Sequence, residues 1–243
     1  HRTMTEKSIT KKEDTTLAPS TGPAGFGSML NAEQEDFSLD RLSLIQGTAM
    51  ETEMHGDHKR GTWVYSSTGA AVAIEDVKMV PIFGYNEWIK YAEGGAGSGI
   101  EYRTMNKEDV PDADLVWGTG RKGVGYAAIK HVNWVVLFEG HTVPVILSFK
   151  KTSIKSGQAL MRMEAARQAA VKDGETTSPG AYIMEIRDKK FAEGSALIPV
   201  PRPAGDATSD HMEAAISWYN RLGDPNAVVG RVAAAATDDD LPF

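Results

Sequence analysis

A flexible polyanion with unstacked bases is held by two kinds of side chain: cations spaced along the phosphates, and aromatic faces on which bases stack. Both kinds gather in the middle of this 243-residue chain. Arg121, Lys122 and Lys130 flank Tyr126, and Lys150, Lys151 and Lys155 follow a strongly apolar stretch. Trp134 lies between the two groups, and Arg162 and Arg167 follow the second. Trp63 is a further aromatic candidate from the N-terminal half, with Tyr65, Trp88 and Tyr91 beside it in type. An aromatic at strand spacing is more often core than platform, and a lysine pair is often a solvated strand end. The cluster therefore carries the reading, not any single member.

The charge distribution agrees with that placement. The chain is acidic overall, at −7, which is unusual for a partner of phosphates. Residues 121–190 nevertheless carry 12 basic and 6 acidic side chains, against 7 and 16 in residues 31–120. A local positive field attracts phosphates whatever the total charge.

Other chemistries find weaker footing. Gly118, Gly120 and Gly123 fit the GxGxxG spacing that lets a backbone approach a pyrophosphate. The preceding apolar stretch is only Leu115-Val116-Trp117, and no helix pattern follows, so a loop presenting Arg121 and Lys122 is the better expectation. His55, Asp57 and His58 have metal-like spacing, but no third ligand stands near, and a charged turn explains them as well. Cysteine is absent, which excludes disulfides and thiolate chemistry. There is no Gly-x-Ser-x-Gly elbow, Walker loop or HExxH. The expectation is a binding protein with no catalytic residues, no cofactor and no metal.

A second constellation lies at residues 238–243: Asp238, Asp239, Asp240, Leu241, Pro242 and Phe243. An aromatic ring beside a carboxylate fits an apolar pocket with a basic rim. Pro242 limits the unbound conformations and so lowers the ordering cost. The three aspartates add long-range attraction, which raises association rate more than affinity.

This tip resembles that of the single-stranded DNA-binding proteins (SSBs) of bacteria and many bacteriophages, which end in acidic residues followed by an apolar-Pro-Phe tip. Leu241 stands where isoleucine is common. The resemblance covers six residues and implies a function: sequence-nonspecific binding that protects single-stranded DNA in replication, recombination and repair. It implies that the tip recruits a polymerase, helicase, primase or nuclease, and that the tip competes with DNA for the basic groove. The body departs from bacterial SSB, with a long N-terminal segment and a longer domain. It is more similar to divergent phage proteins in which an oligonucleotide/oligosaccharide-binding (OB) barrel carries insertions. A bacterial host cytoplasm and a possible homo-oligomer follow from the same resemblance. Two alternatives remain open: a phage structural or scaffold protein with an incidental acidic tail, and a strand-annealing recombination mediator.

The elements that must position these residues are mostly strands. Residues 1–30, rich in Ser, Thr, Lys, Pro and Gly, are expected to be disordered. Residues 31–203 read as one β-rich domain with one or two helices, an α+β arrangement. Short strands are expected near 62–65, 71–74 and 77–83, with Pro81 favouring an edge or a bulge. The clearest element is a hairpin. Val132, Trp134, Val136 and Phe138 alternate, Glu139-Gly140 turns, and Val143, Val145, Leu147 and Phe149 alternate back. Its other face is also partly apolar, so it should be central. A helix is expected over 156–171, then strands at 181–187 and 197–200. Residues 204–243 read as a flexible acidic tail, with a possible short helix at 211–222 between Asp210 and Gly223.

Overall fold

The alternation at 132–149 becomes the centre of the protein. In a computed structural model, residues 39–48, 51, 55–56, 58–92, 99–170, 180–192 and 194–222 are described. Residues 1–30 and the tip at 238–243 lie outside the described residues. Among the described residues nine strands are found: β1 (Arg41–Leu44), β2 (Trp63–Tyr65), β3 (Ala71–Val72), β4 (Met79–Tyr91), β5 (Ile100–Thr104), β6 (Ala128–Phe138), β7 (Val145–Lys150), β8 (Tyr182–Phe191) and β9 (Gly194–Pro203). Two α-helices, α1 (Ile154–Ala169) and α2 (Ser209–Leu222), and four short 3-10 turns accompany them among the described residues. The class is mainly β.

One mixed, open sheet runs in the order β3-β2-β1-β7-β6-β4-β8-β9, with β5 paired on β4. The expected hairpin is β6–β7, in register from His131↔Lys150 to Val136↔Val145. Val143 was expected on the returning strand; it lies in the turn and is exposed, because β7 begins only at Val145. The strand expected at 77–83 continues to Tyr91 and pairs along the whole of β6. Its register shifts between Pro81 and Phe83, where proline cannot donate to the ladder.

The even-numbered residues of β6 enter the main core. Val132, Trp134, Val136 and Phe138 pack there with Leu147, Phe149, Leu160 and Tyr182. Each such side chain, fully buried, contributes about 1.5–3 kcal/mol. Helix α1 closes this core and sits very near the sheet. A Cβ on Gly157 would come 2.9 Å from Val132 and 3.0 Å from Phe149, so only glycine allows the approach. Trp134 donates its indole N–H to the Gly157 carbonyl at 3.2 Å. Glu164, buried on α1, accepts from the Tyr182 hydroxyl at 2.5 Å and the Gly180 N–H at 3.0 Å.

The opposite face of β6 is covered too. Val135 packs with Ile146, Phe83 and Tyr85, and Leu137 packs with Val80 under α2. Helix α2 falls within the segment expected to be a flexible tail. It is docked through Ala215, through His211 Nε2 at 2.9 Å from the Leu137 carbonyl, and through the Trp218 indole donating to Thr142 O at 2.8 Å. Ala214, Ala215 and Trp218 hold the helix against the apolar surface of Val80 and Leu137, while Ile216 and Tyr219 stay exposed.

β1 runs parallel to β7 for two residue pairs, Arg41↔Ile146 and Leu42↔Leu147. Beyond them, side chains take over from the ladder. Gln46 donates to Leu197 O at 3.0 Å and accepts from Leu197 N at 2.7 Å, as a peptide group would. Arg60 grips Asp188 with two nitrogens, at 3.1 and 3.3 Å, and Ser195 at 2.9 Å. The curled sheet thus ties β9 to the end of β1.

Candidate nucleic-acid interface

Two features adjoin β6: a loop that leads into it and a cleft that its His131 lines. The first is the loop 115–127, which contains the GxGxxG segment. It is preceded by a 3-10 turn, Asp112–Leu115, and leads into β6; a dinucleotide site would need a strand before it and a helix after it. The glycines serve a different end. The Gly118 N–H and the Gly120 N–H both reach the Gly125 carbonyl, at 2.7 and 3.2 Å. A Cβ on Gly120 would lie 2.2 Å from Val124 O, so the doubling-back requires glycine there. Thr119 pins the fold, donating to Val116 O at 2.7 Å and accepting from Ala127 N at 3.1 Å. The loop's foot rests on Leu115, Val110, Trp88, Ala128 and Tyr102. Tyr102 donates to Asp114 at 2.9 Å, and burial together with that carboxylate pushes its hydroxyl up to about 12.

What this loop displays is unusual. Trp117 is 68% exposed and Tyr126 49%, with their rings edge to face at 5.4 Å. Tryptophan is seldom left so open without a use. Arg121 and Lys122 are exposed on the same loop. Lys122 adopts a left-handed backbone, φ 58°, a conformation concentrated at functional positions in non-glycine residues.

The second feature is a cleft of about 280 Å³ between β1 and β7, where their pairing stops. Glu87, His131 and Lys150 form one cross-strand row over β4, β6 and β7. The Glu87 carboxylate, 2% exposed, meets Arg41 at 3.2 Å and Arg103 at 3.5 Å and accepts from Asn133 Nδ2 at 2.6 Å. A buried carboxylate survives only with such partners. It fixes two guanidiniums at the cleft, which Lys150 and Lys151 also line. Lys151 has φ 47°, again left-handed. His131 is buried, with Nδ1 at 3.0 Å from Ser148 Oγ, while Nε2 has no partner. Burial first, then Lys150, Arg41, Arg103 and Lys151, holds its pKa well below the usual 6.5, so the imidazole is neutral.

Of the expected site residues, Arg121, Lys122 and Tyr126 gather on the loop, and Lys150 and Lys151 on the cleft. Lys130 sits over the Trp88 ring at 5.4 Å, between the two features in sequence. Lys155 is exposed at the start of α1. Trp134 and Trp63 are corrections. Both are core residues, 7% and 5% exposed, too buried to serve as stacking platforms, although Trp63 contributes to the wall of the cleft. Trp134 is further fixed by Gly84, whose Cβ would touch the indole at 2.9 Å. His58 Nε2 donates to the Gly69 carbonyl at 2.8 Å. Among the described residues, no three His, Asp or Glu side chains gather as metal ligands. No helix among them is long and apolar enough to cross a membrane.

Sequence reasoning missed Trp117, Arg41, Arg103, Glu87 and His131. Trp117 had a signal, a tryptophan beside a glycine-rich loop. Arg41 and Arg103 had none, because they reach the cleft from strands far apart in the chain. No family model matches the chain, and neither the curated proteins nor the solved structures compared with it gave a match.

Proposed function

We propose that this protein binds single-stranded DNA without strong sequence preference and brings partner proteins to it through residues 238–243. One observation carries the reading. Trp117 and Tyr126 are held open on a braced loop, beside Arg121 and Lys122, and that loop runs straight into the strand that lines the cationic cleft. From Tyr126 to His131 the chain spans at most about 17 Å at ~3.3 Å per residue, a reach of a few nucleotides. Stacking faces at one end and fixed cations at the other are what a sequence-tolerant groove needs.

The strand order supports an OB-like reading. β4, β6 and β7 make an antiparallel series, α1 follows, and β8 returns to pair with β4 at Met79↔Tyr182 before turning into β9. In that reading β1, β2, β3 and β5 are additions, and Gln46 draws the open sheet toward a barrel. OB folds bind oligonucleotides on their second and third strands and on the loop between the first and second. Here those are β6–β7 and the connection that holds residues 115–127.

Recruitment rests on the chemistry of the tip: three carboxylates for a basic rim, and Pro242 with Phe243 for an apolar pocket. The test is a fluorescence titration of the full chain with labelled oligo-dT and a matching duplex at two salt concentrations. Tight binding to the single strand, weakening as salt rises, is the expected result. Absence of binding to oligo-dT at low salt overturns the proposal and favours the structural-protein alternative.

A further inference from the structure

The loop that carries Trp117 and Tyr126 is stiff within itself, but its inner bonds do not set where it stands on the sheet. Those of Gly118, Gly120 and Thr119 all close within residues 116–127. The direction of the loop has to come from the turn before it, Asp112–Leu115. Two side-chain bonds from the sheet reach that turn, and both end on Asp114. The Tyr102 hydroxyl of β5 donates to Oδ2 at 2.9 Å, and Lys90 Nζ of β4 lies 3.3 Å from Oδ1. Each carboxylate oxygen has its own donor, so the group is fixed in direction as well as in place.

The two donors are themselves held. Lys90 and Tyr102 face each other across β4 and β5. Lys90 Nζ stands 5.9 Å from the centre of the Tyr102 ring and meets Glu101 at 3.0 Å. Its bond to Glu101, then Asp114, raises its pKa above the usual 10.5, so it stays charged. The Tyr102 ring packs on Trp88, Val110 and Ala128, the residues that also carry Leu115. Apolar contact through Leu115 holds the turn down but has no direction; hydrogen bonds supply one. A carboxylate withdrawn from water, as Asp114 is at 9% exposure, is a weak stabilising device, so its use here fits orientation better than folding. Trp117 follows three residues later. Its neighbour Val116 is bonded on both sides, its N–H to Ala113 O at 3.4 Å and its carbonyl to the Thr119 hydroxyl at 2.7 Å.

We infer that Asp114 is the positioning residue of this loop: gripped by Tyr102 and Lys90, it sets the direction in which Trp117 meets a base. The inference rests on the single-strand reading and names what holds that site ready. Asp114, Tyr102 and Lys90 act through the loop and not by contact with DNA. A ring already held in its binding orientation loses less freedom when the strand arrives.

The test measures oligo-dT affinity at fixed salt, with thermal melting on the same samples, for the full chain carrying Tyr102→Phe, Asp114→Asn or Asp114→Ala. Tyr102→Phe keeps the ring and removes the donor. It should raise the dissociation constant about three- to tenfold, part of the worth of a hydrogen bond to a charged acceptor. Joined to Trp117→Ala, the same change should add a factor under about two, because the ring it positions is gone, whereas independent effects would multiply. Asp114→Asn, whose amide oxygen still accepts from Tyr102, should keep more affinity than Asp114→Ala. A merely structural role would lower melting and leave the cycle with Trp117 multiplicative. Unchanged affinity in Tyr102→Phe, or losses that multiply in the double variant, overturns the inference while leaving single-strand binding intact. If Asp114→Ala fails to fold, the cycle of Tyr102→Phe with Trp117→Ala decides. Failure of the unaltered protein to bind oligo-dT defeats the single-strand reading itself, and this inference with it.

Discussion

Replacing Trp117 with alanine removes a ring that the fold scarcely uses. The indole is 68% exposed, and its recorded ring partner is Tyr126, itself half exposed. Surface changes of this kind move stability by no more than about 0.5 kcal/mol. For a chain of this size that is a melting shift of about 2 °C or less. The effect on binding should be far larger. A stacked base is worth roughly 1–3 kcal/mol, so the dissociation constant for oligo-dT should rise by about 5- to 150-fold at constant salt. Fluorescence anisotropy of a labelled strand reads this directly, with thermal melting run on the same sample. Tyr126→Ala and the double variant complete a cycle. Because the two rings touch, their effects should fall short of additive. The comparison with Trp134→Ala sharpens the point. That ring is core, and its loss should cost about 3–5 kcal/mol of stability, so lost binding there would reveal nothing about stacking. An unchanged affinity for Trp117→Ala, with melting intact, would refute the loop as the stacking platform.

Protonation of His131 should oppose folding. Its folded pKa lies below the ordinary 6.5. The unfolded chain therefore takes up a proton first as pH falls, and the contribution to stability, whole above pH 6.5, is lost progressively below it. Denaturant melts across pH 7 to 5 should show a decline of up to about 1.4 kcal/mol per pH unit from this group, and His131→Gln should flatten that part of the profile. Gly157→Ala should destabilise by about 1–3 kcal/mol in urea melts, since the new methyl meets Val132 and Phe149 at about 3 Å. Removing residues 238–243 should abolish capture of partner enzymes while leaving affinity for oligo-dT equal or greater, because a competing polyanion is gone. A collapse of DNA binding in that variant would count against the tip as a recruitment peptide.

How much of this was legible depended on whether the signal was local. The hairpin β6–β7 announced itself because alternation over 132–149 is a period-two pattern that only a strand satisfies. Helix α1 was found within two residues of each expected end. Pro81 foretold a register shift, and one occurs beside it. The length of β4 was hidden because Gly84 and Asn86 break the apolar pattern. Gly84 is there to admit the Trp134 ring, a constraint set by the neighbouring strand. Trp134 itself was misplaced for the converse reason. It lies among basic residues in sequence, but the pleat turns it inward while His131 and Asn133 face the other way. The cationic cleft was illegible as a unit. Arg41, Arg103 and Lys150 come from three strands, and only the pairing of β1 with β7 and β5 with β4 brings them together.

The buried Glu87 gives that cleft its meaning. As a stabilising device it is poor. Desolvating one carboxylate and two guanidiniums costs several kcal/mol per ion before any attraction is counted, and an apolar cluster of equal volume often does as well. The rest of β6 shows that this sheet can be filled with Val, Leu and Phe on both faces. At Glu87 and Asn133 it is not, and the departure is local, confined to the Glu87–His131–Lys150 row and its neighbour, Tyr85–Asn133–Ser148. The carboxylate does for Arg41 and Arg103 what the Gly125 carbonyl does for the loop at Gly118 and Gly120. Each fixes groups that would otherwise be mobile, so that binding incurs less ordering cost. Two preorganised features, one of exposed rings and one of fixed cations, stand at the two ends of the same few residues of β6. Folding alone explains neither, and the proposed binding of single-stranded DNA would use both.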